Sequence, residues 1–142
     1  MQHLLRLLLP TAKGSPMNGS IGLCRAFAAV IGAFLLVEGF LGLSSPVVFG
    51  VLSTNMLHAV IHIALGAAGI WTGLRSGARQ FCLFLGILLL TVGALWFVPG
   101  IREIIILLLN VNAAVAYLNL GVGAVALLLA LAARRAGVRA RG

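Results

Sequence analysis

Acidic residues are almost absent from this sequence. In 142 residues only Glu38 and Glu103 carry a carboxylate, and charged residues of all kinds make up 8% of the chain. The two glutamates lie in different apolar segments, so acid–base catalysis by a carboxylate pair has no basis within one segment. The chain is 62% hydrophobic, with a mean hydropathy of +1.18. Because a soluble domain of this length needs far more charged surface, we predict that lipid surrounds most of the chain.

Cysteines and the motifs of soluble enzymes are also scarce. Cys24 and Cys82 are the two cysteines of the chain, and both lie at the basic ends of apolar runs. We interpret them as small apolar packing residues, not as a disulfide. The sequence contains no Gly-rich phosphate loop, no nucleophile triad and no CxxC pair, and we predict that the protein is not an enzyme.

The basic residues flank the apolar runs and do not form one groove. A net charge of +8 and a pI near 11.7 could indicate nucleic-acid binding. However, nine of the ten lysines and arginines lie before the first apolar run or at its start, in the turn at 75–79 or in the C-terminal tail. This distribution is typical of the positive-inside rule and predicts a multi-pass inner-membrane protein with both termini in the cytoplasm and no nucleic-acid partner.

Apolar segments of the length needed to cross a bilayer occur four times, and we predict an all-α integral membrane fold with four transmembrane helices. Shorter apolar pieces near 46–52 and 101–109 are predicted to be interfacial helical pieces. A flexible tail at 1–20, with Met1 or Met17 as the native start, precedes a transmembrane domain at 21–133. A basic tail at 134–142 follows, which we expect to bind anionic lipid headgroups. The four spans are predicted at about 22–43, 54–74, 80–98 and 111–133.

The second span carries a polar and small-residue stripe. Its members follow one another at steps of three or four residues, which places them on one helix face. The stripe is polar at its outer end and almost free of side chains at its inner end, where we expect close packing against another helix. It consists of Asn55, His58, His62, Gly66, Gly69 and Gly73.

The same pattern recurs 57 residues later, where Asn112, Asn119 and Gly123 repeat the first, third and fourth members of that stripe. We predict two duplicated hairpins related by an axis along the membrane normal. The second and fourth spans are expected to face each other near the bundle centre and to satisfy each other's polar groups. The predicted intramembrane cluster comprises Glu38, Asn55, His58, His62, Asn112, Tyr117 and Asn119, and the predicted helix-packing residues are Gly66, Gly69, Gly73 and Gly123.

The run NMLHAVIHIALGAAGI at 55–70 resembles the N-x-x-H-x-x-x-H-x-x-x-G-x-x-G core of a bacterial four-helix membrane family catalogued as domain of unknown function 4383. The run NAAVAYLNLGVGAVAL at 112–127 is similar to the second-half pattern of that family, in which Leu-His-Leu-Gly is usual. Here Asn119 stands at the histidine position. The resemblance covers roughly 22–133 and implies the four-helix architecture, but no activity, substrate or cofactor.

Two classes of function follow from the residues. The first is a small structural or accessory membrane protein, a subunit of a larger complex, with a buried His/Asn/Glu cluster. The alternative is binding of haem, chlorin or a metal, or handling of protons or cations, by His58, His62 and Glu38. Two imidazoles at i, i+4 on one helix cannot hold one haem iron from both sides, and no particular cofactor is predicted.

Overall fold

The computed structural model describes residues 16–139, with side chains described for residues 19–133. Most of the predicted tail at 1–20, and the side chains of the basic tail at 134–142, lie outside this description. Within it, the elements in chain order are helix α1 (Pro16–Gly42), strands β1 (Val47–Val48) and β2 (Leu52–Ser53), and helices α2 (Met56–Leu74), α3 (Ala78–Leu95), α4 (Ile101–Leu109) and α5 (Ala113–Arg139).

Four of these helices are long and apolar enough to cross a membrane. The qualifying segments are Gly19–Gly42, Met56–Leu74, Ala78–Leu95 and Ala113–Ala133. The all-α membrane fold with four spans is therefore confirmed. Helix α1 begins at Pro16, inside the stretch predicted as a tail, and proline is favoured at a first helical position because it has no N–H to satisfy.

The apolar piece at 46–52 is not helical, and that prediction is wrong. Val47 pairs with Ser53 and Val48 with Leu52 as an antiparallel hairpin. The turn places Phe49 and Gly50 at φ values of 52° and 73°, as tight hairpin turns require, and valines on both sides favour strand. By contrast, the piece at 101–109 is helix α4, as predicted. It ends at Asn110, whose left-handed backbone stops the helix.

Glycines bring the helices of each hairpin into backbone contact. A Cβ atom added to Gly66 would lie 2.7 Å from the carbonyl oxygen of Gly32 and 2.7 Å from the amide nitrogen of Leu36, both on α1. A Cβ on Gly123 of α5 would lie 2.9 Å from the nitrogen of Leu90 on α3. Gly69 and Gly73 meet the α1 backbone in the same way. All four glycines predicted to pack helices therefore lie at close helix contacts.

Helices α2 and α5 do not face each other at the bundle centre, contrary to the sequence-based prediction. Among the described residues, no Cα of α2 lies within 8 Å of a Cα of α5, whereas α1 approaches α2, α3 and α5. The small face of α2 is already covered by α1, so it is not free to meet α5. The main buried core lies among α1, α3 and α5 and includes Cys24, Ala28, Leu35, Cys82, Leu85 and Ala130.

The two hairpins make equivalent glycine contacts between their two long helices. Gly32 lies against the backbone of Gly66 and Ile70, and Gly86 lies against the backbone of Gly123 and Leu127. The partners on α2 and α5 are 57 residues apart, as the sequence repeat predicts, but the glycines on α1 and α3 are 54 apart. The chain between the paired glycines is therefore three residues longer in the second hairpin, whose linker holds α4 where the first linker holds the β-hairpin.

Candidate functional site

A buried carboxyl–imidazole pair joins α1 to α2. Oε2 of Glu38 lies 3.2 Å from Nδ1 of His62, and the two residues are 2% and 5% exposed. The neighbouring Gly39 makes the approach possible, because a Cβ there would lie 2.8 Å from the carbonyl oxygen of Ala59. A carboxyl group in an apolar interior is costly unless it is paired, so each side chain fixes the other.

His58 lies one turn before His62 on the same face of α2 and is 4% exposed. Its Nδ1 is 2.9 Å from the carbonyl oxygen of Leu109, and since a carbonyl oxygen only accepts, Nδ1 donates. This contact selects the tautomer with the proton on Nδ1. The two imidazole rings meet edge to face, with their centroids 4.2 Å apart. The histidine pair therefore links α2 to α1 through His62 and to the end of α4 through His58.

Asn55 and Asn112 lie outside the buried group and cap their helices. Oδ1 of Asn55 accepts a hydrogen bond from the backbone nitrogen of His58 at 2.9 Å, and Nδ2 donates to the carbonyl of Leu108 at 2.9 Å. Oδ1 of Asn112 accepts from the nitrogen of Val115 at 3.0 Å, and Nδ2 donates to the carbonyl of Val51 at 2.8 Å. Each asparagine thus begins its own helix and holds the linker of the other hairpin.

Tyr117 does not join the polar group, and its inclusion in the predicted cluster is wrong. It is 64% exposed, and its ring contacts Phe97 with the centroids 5.4 Å apart. Asn119 on the same helix is 7% exposed. Two residues along a helix turn the side chain by about 200°, so Tyr117 and Asn119 point to opposite sides of α5.

Two small cavities lie beside the buried pair. One, of about 90 Å³, is lined by His58, His62 and Asn119 together with apolar side chains. The other, of about 10 Å³, is lined by Glu38, His62 and Asn119 and is otherwise apolar, and a space of roughly 10–15 Å³ holds one water molecule. Polar groups of α1, α2 and α5 therefore converge on shared space between the hairpins, although no described Cα of α2 lies within 8 Å of one of α5.

The polar groups of the second and fourth spans were predicted to satisfy each other, and for the histidines that prediction is wrong. The hydrogen-bonding partners of the histidines come from α1 and the end of α4. Within the described part of the chain, no three His, Cys, Asp or Glu side chains are grouped so as to hold a metal ion. Cys24 and Cys82 are buried and free in a separate region.

Sequence reasoning missed a seam of linker contacts between the hairpins. Ser53 Oγ donates to the carbonyl of Asn110, and Nδ2 of Asn110 donates to the carbonyl of Thr54 at 2.8 Å. Within the second hairpin, Nε1 of Trp96 donates to the carbonyl of Val111 at 2.9 Å. Ser53 and Asn110 are 57 residues apart, each two positions before a capping asparagine. The repeat offset was thus the signal that could have identified both residues.

A protein-family model described as "Domain of unknown function (DUF4383)" matches residues 25–132. This range includes the described polar group, both linkers and almost all of the four membrane-spanning segments. No curated protein and no solved structure matches the chain.

Proposed function

We propose a function from the contacts of the buried polar group, because the chain belongs to the DUF4383 family and the description of that family assigns no activity. The protein is a small, non-enzymatic structural or accessory protein of the bacterial inner membrane, and it works as a subunit of a larger membrane complex. Its buried His/Asn/Glu group fixes the arrangement of the helices. The bilayer and anionic lipid headgroups are its immediate surroundings, and both termini are cytoplasmic.

One observation carries this proposal: Glu38, His58 and His62 are tied to one another or to the backbone of neighbouring helices. Among the described residues, no fully buried side-chain nitrogen or oxygen lacks a hydrogen-bonding partner. Glu38 and His62 pair with each other, and Nδ1 of His58 is occupied by a backbone carbonyl. These contacts join α2 to α1 and to the end of α4, and this internal pairing supports a structural role.

The experiment is an absorption spectrum and a metal analysis of the detergent-purified protein. We expect no Soret or chlorin band and no stoichiometric metal. His62→Ala should lower the stability of the protein without altering its absorption spectrum or metal content. A pigment band, or about one metal ion per chain, that is lost in His62→Ala but kept in Tyr117→Phe would overturn the structural role.

Membership of a larger complex is tested by native electrophoresis of membranes that express the protein at its natural level. After mild solubilisation, we expect the 14.8 kDa chain to migrate with a larger assembly that persists on dilution. Migration solely as a detergent-bound monomer would contradict the accessory role while leaving the structural role of the polar group intact.

A second candidate, proton or cation handling, is favoured by the cavity that Glu38, His62 and Asn119 share. Ionisable residues inside a membrane protein often mark ion pathways. Proteoliposomes test this function through ion flux under an imposed gradient. Flux that is present in the wild type and abolished in Glu38→Gln would support it, whereas wild-type flux equal to that of empty vesicles would exclude it.

A further inference from the structure

An open pocket lies at the end of the bundle where α2 and α3 are joined, away from the buried polar group. Its volume is about 340 Å³, and it is formed by the start of α1, the turn at 75–77 and the first residues of α3. We call it the arginine pocket, because three arginines contribute to its wall. Its polar lining consists of Arg25, Arg75, Ser76, Arg79 and Gln80.

The guanidinium groups of this pocket are held by the fold. Arg25 donates from Nε to the carbonyl of Gly73 and from a terminal nitrogen to the carbonyl of Leu74, both at 3.0 Å. Arg79 donates from Nε to the carbonyl of Ala130 on α5 at 3.2 Å. Arg75 lies over the ring of Trp71 at 5.0 Å from its centroid. Since each guanidinium has five N–H donors, these contacts position the groups and leave donors available for a ligand.

Neither glutamate of the chain lies at this pocket. Glu38 is paired with His62 in the interior, and Oε2 of Glu103 accepts from the backbone nitrogen of Gly100 at 2.6 Å, on the linker at the opposite end of the spans. In addition, Gly77 precedes the first residue of α3 and provides no side-chain cap, so the positive end of the helix dipole and the first N–H groups of α3 face the same region. Three cations and a helix N-terminus therefore share one pocket whose lining contains no acidic side chain among the described residues.

We propose that the arginine pocket binds a phosphate group, most directly that of an anionic phospholipid. Arginine recognises phosphate through paired, charge-assisted hydrogen bonds. The turn at 75–77 joins two membrane-spanning helices, so the pocket lies at the depth of the headgroups, where basic pockets between helices bind anionic lipids. This site is distinct from the lipid contact expected for the C-terminal tail.

The test uses the full chain in detergent and native mass spectrometry with added phosphatidylglycerol or phosphatidylcholine. We expect one phosphatidylglycerol per chain to be retained in preference to phosphatidylcholine, and Arg75→Gln to weaken that retention about fivefold. The matched control is Arg102→Gln, since Arg102 also lies over a tryptophan, Trp96, at 4.6 Å, but at the other end of the spans. The control is expected to retain the lipid as the wild type does.

Two further measurements distinguish a lipid headgroup from free phosphate, and the arginine pocket from the C-terminal tail. If millimolar inorganic phosphate displaces the lipid from the wild type and raises its melting temperature, but does not do so in Arg75→Gln, the pocket binds free phosphate as well as headgroups. If lipid binding is lost on changing Arg139 and Arg141 together but not in Arg75→Gln, the tail is the lipid site and the proposal is overturned. Equal retention of the two lipids by the wild type, with no effect of phosphate, would also overturn it.

Discussion

At the scale of single residues, the positions that matter most are polar side chains with two partners. Each capping asparagine uses its oxygen for its own helix and its nitrogen for the other hairpin. One side chain thus fixes the start of its own helix and holds the linker of the other hairpin against that start. The sequence repeat predicted that Asn55 and Asn112 are equivalent, but it could not predict that they serve as crossed ties between the two halves.

Equivalence of the two caps leads to a quantitative prediction. Asn55→Ala and Asn112→Ala should each lower the free energy of unfolding by about 1–2 kcal/mol, the usual cost of removing a helix cap, and by similar amounts. Thermal unfolding in detergent followed by circular dichroism measures this cost. The aspartate variant of each position keeps the capping oxygen but removes the Nδ2 donor, so it should recover part of the loss. Unequal costs for the two alanine variants would mean that only one cap ties the hairpins.

Tyr117 was predicted to belong to the buried polar group, but it lies on the exposed side of α5. Its polar hydroxyl and its place near Asn119 suggested a member of the buried group, but the helical rotation between positions 117 and 119 carries it outward, against Phe97. Glu38 shows the opposite case. Its burial at 2% exposure follows from Gly39, whose lack of a side chain lets α1 and α2 approach at that depth.

At the scale of elements, glycine determines which helices pair. Gly66 has no space for a side chain, because backbone atoms of α1 lie within 2.7 Å of the position that a Cβ would occupy. A methyl group there must separate the two helices, since a backbone cannot move aside as a flexible side chain can.

Gly66→Ala should therefore destabilise the protein by about 1–3 kcal/mol, as measured by thermal unfolding in detergent. The matched control is Gly121→Ala on α5, where nothing lies within 4 Å of the added Cβ. That change should leave stability unchanged or raise it by up to about 1 kcal/mol, because alanine favours helix over glycine. If both variants behave alike, close backbone packing does not hold the first hairpin together.

Hydrophobic length and small-residue spacing predicted the four spans and the small faces well, because both are local properties of the sequence. The partner of each face is not local. The stripe on α2 could have packed against α5, α1 or a second copy, and nothing in its own residues distinguishes these outcomes. Similarly, valine and phenylalanine at 47–51 fit either an interfacial helix or strands. Only the turn at Phe49 and Gly50 settles the choice, because both residues there have positive φ.

At the scale of the whole molecule, the protein consists of two like hairpins whose first helices meet centrally and whose linkers are tied together at one end of the spans. The arginines at 75–79 lie at the other end. The offset of 57 residues between α2 and α5, against 54 between α1 and α3, shows that the linkers absorbed the three-residue difference between the repeats while the packing within each hairpin was kept.

This arrangement predicts a single orientation in the membrane. Reporter fusions to the N-terminus, to the 75–79 turn and to the C-terminus should all report the cytoplasm, because nine of the ten basic residues are close in sequence to one of these three points. A reporter inserted between Pro99 and Ile101 should report the opposite side. Termini on different sides of the membrane would contradict both the four spans and the proposed orientation.

The most direct test of the central claim, that the buried polar group is satisfied within the chain by the Glu38–His62 pair, is a double-mutant cycle. Glu38→Gln, His62→Gln and the double variant are compared with the wild type by thermal unfolding in detergent. Since the two side chains are in contact, the account predicts that the costs of the single changes are not additive, with a coupling energy of about 0.5–3 kcal/mol. Additive costs, with no coupling between Glu38 and His62, would contradict it.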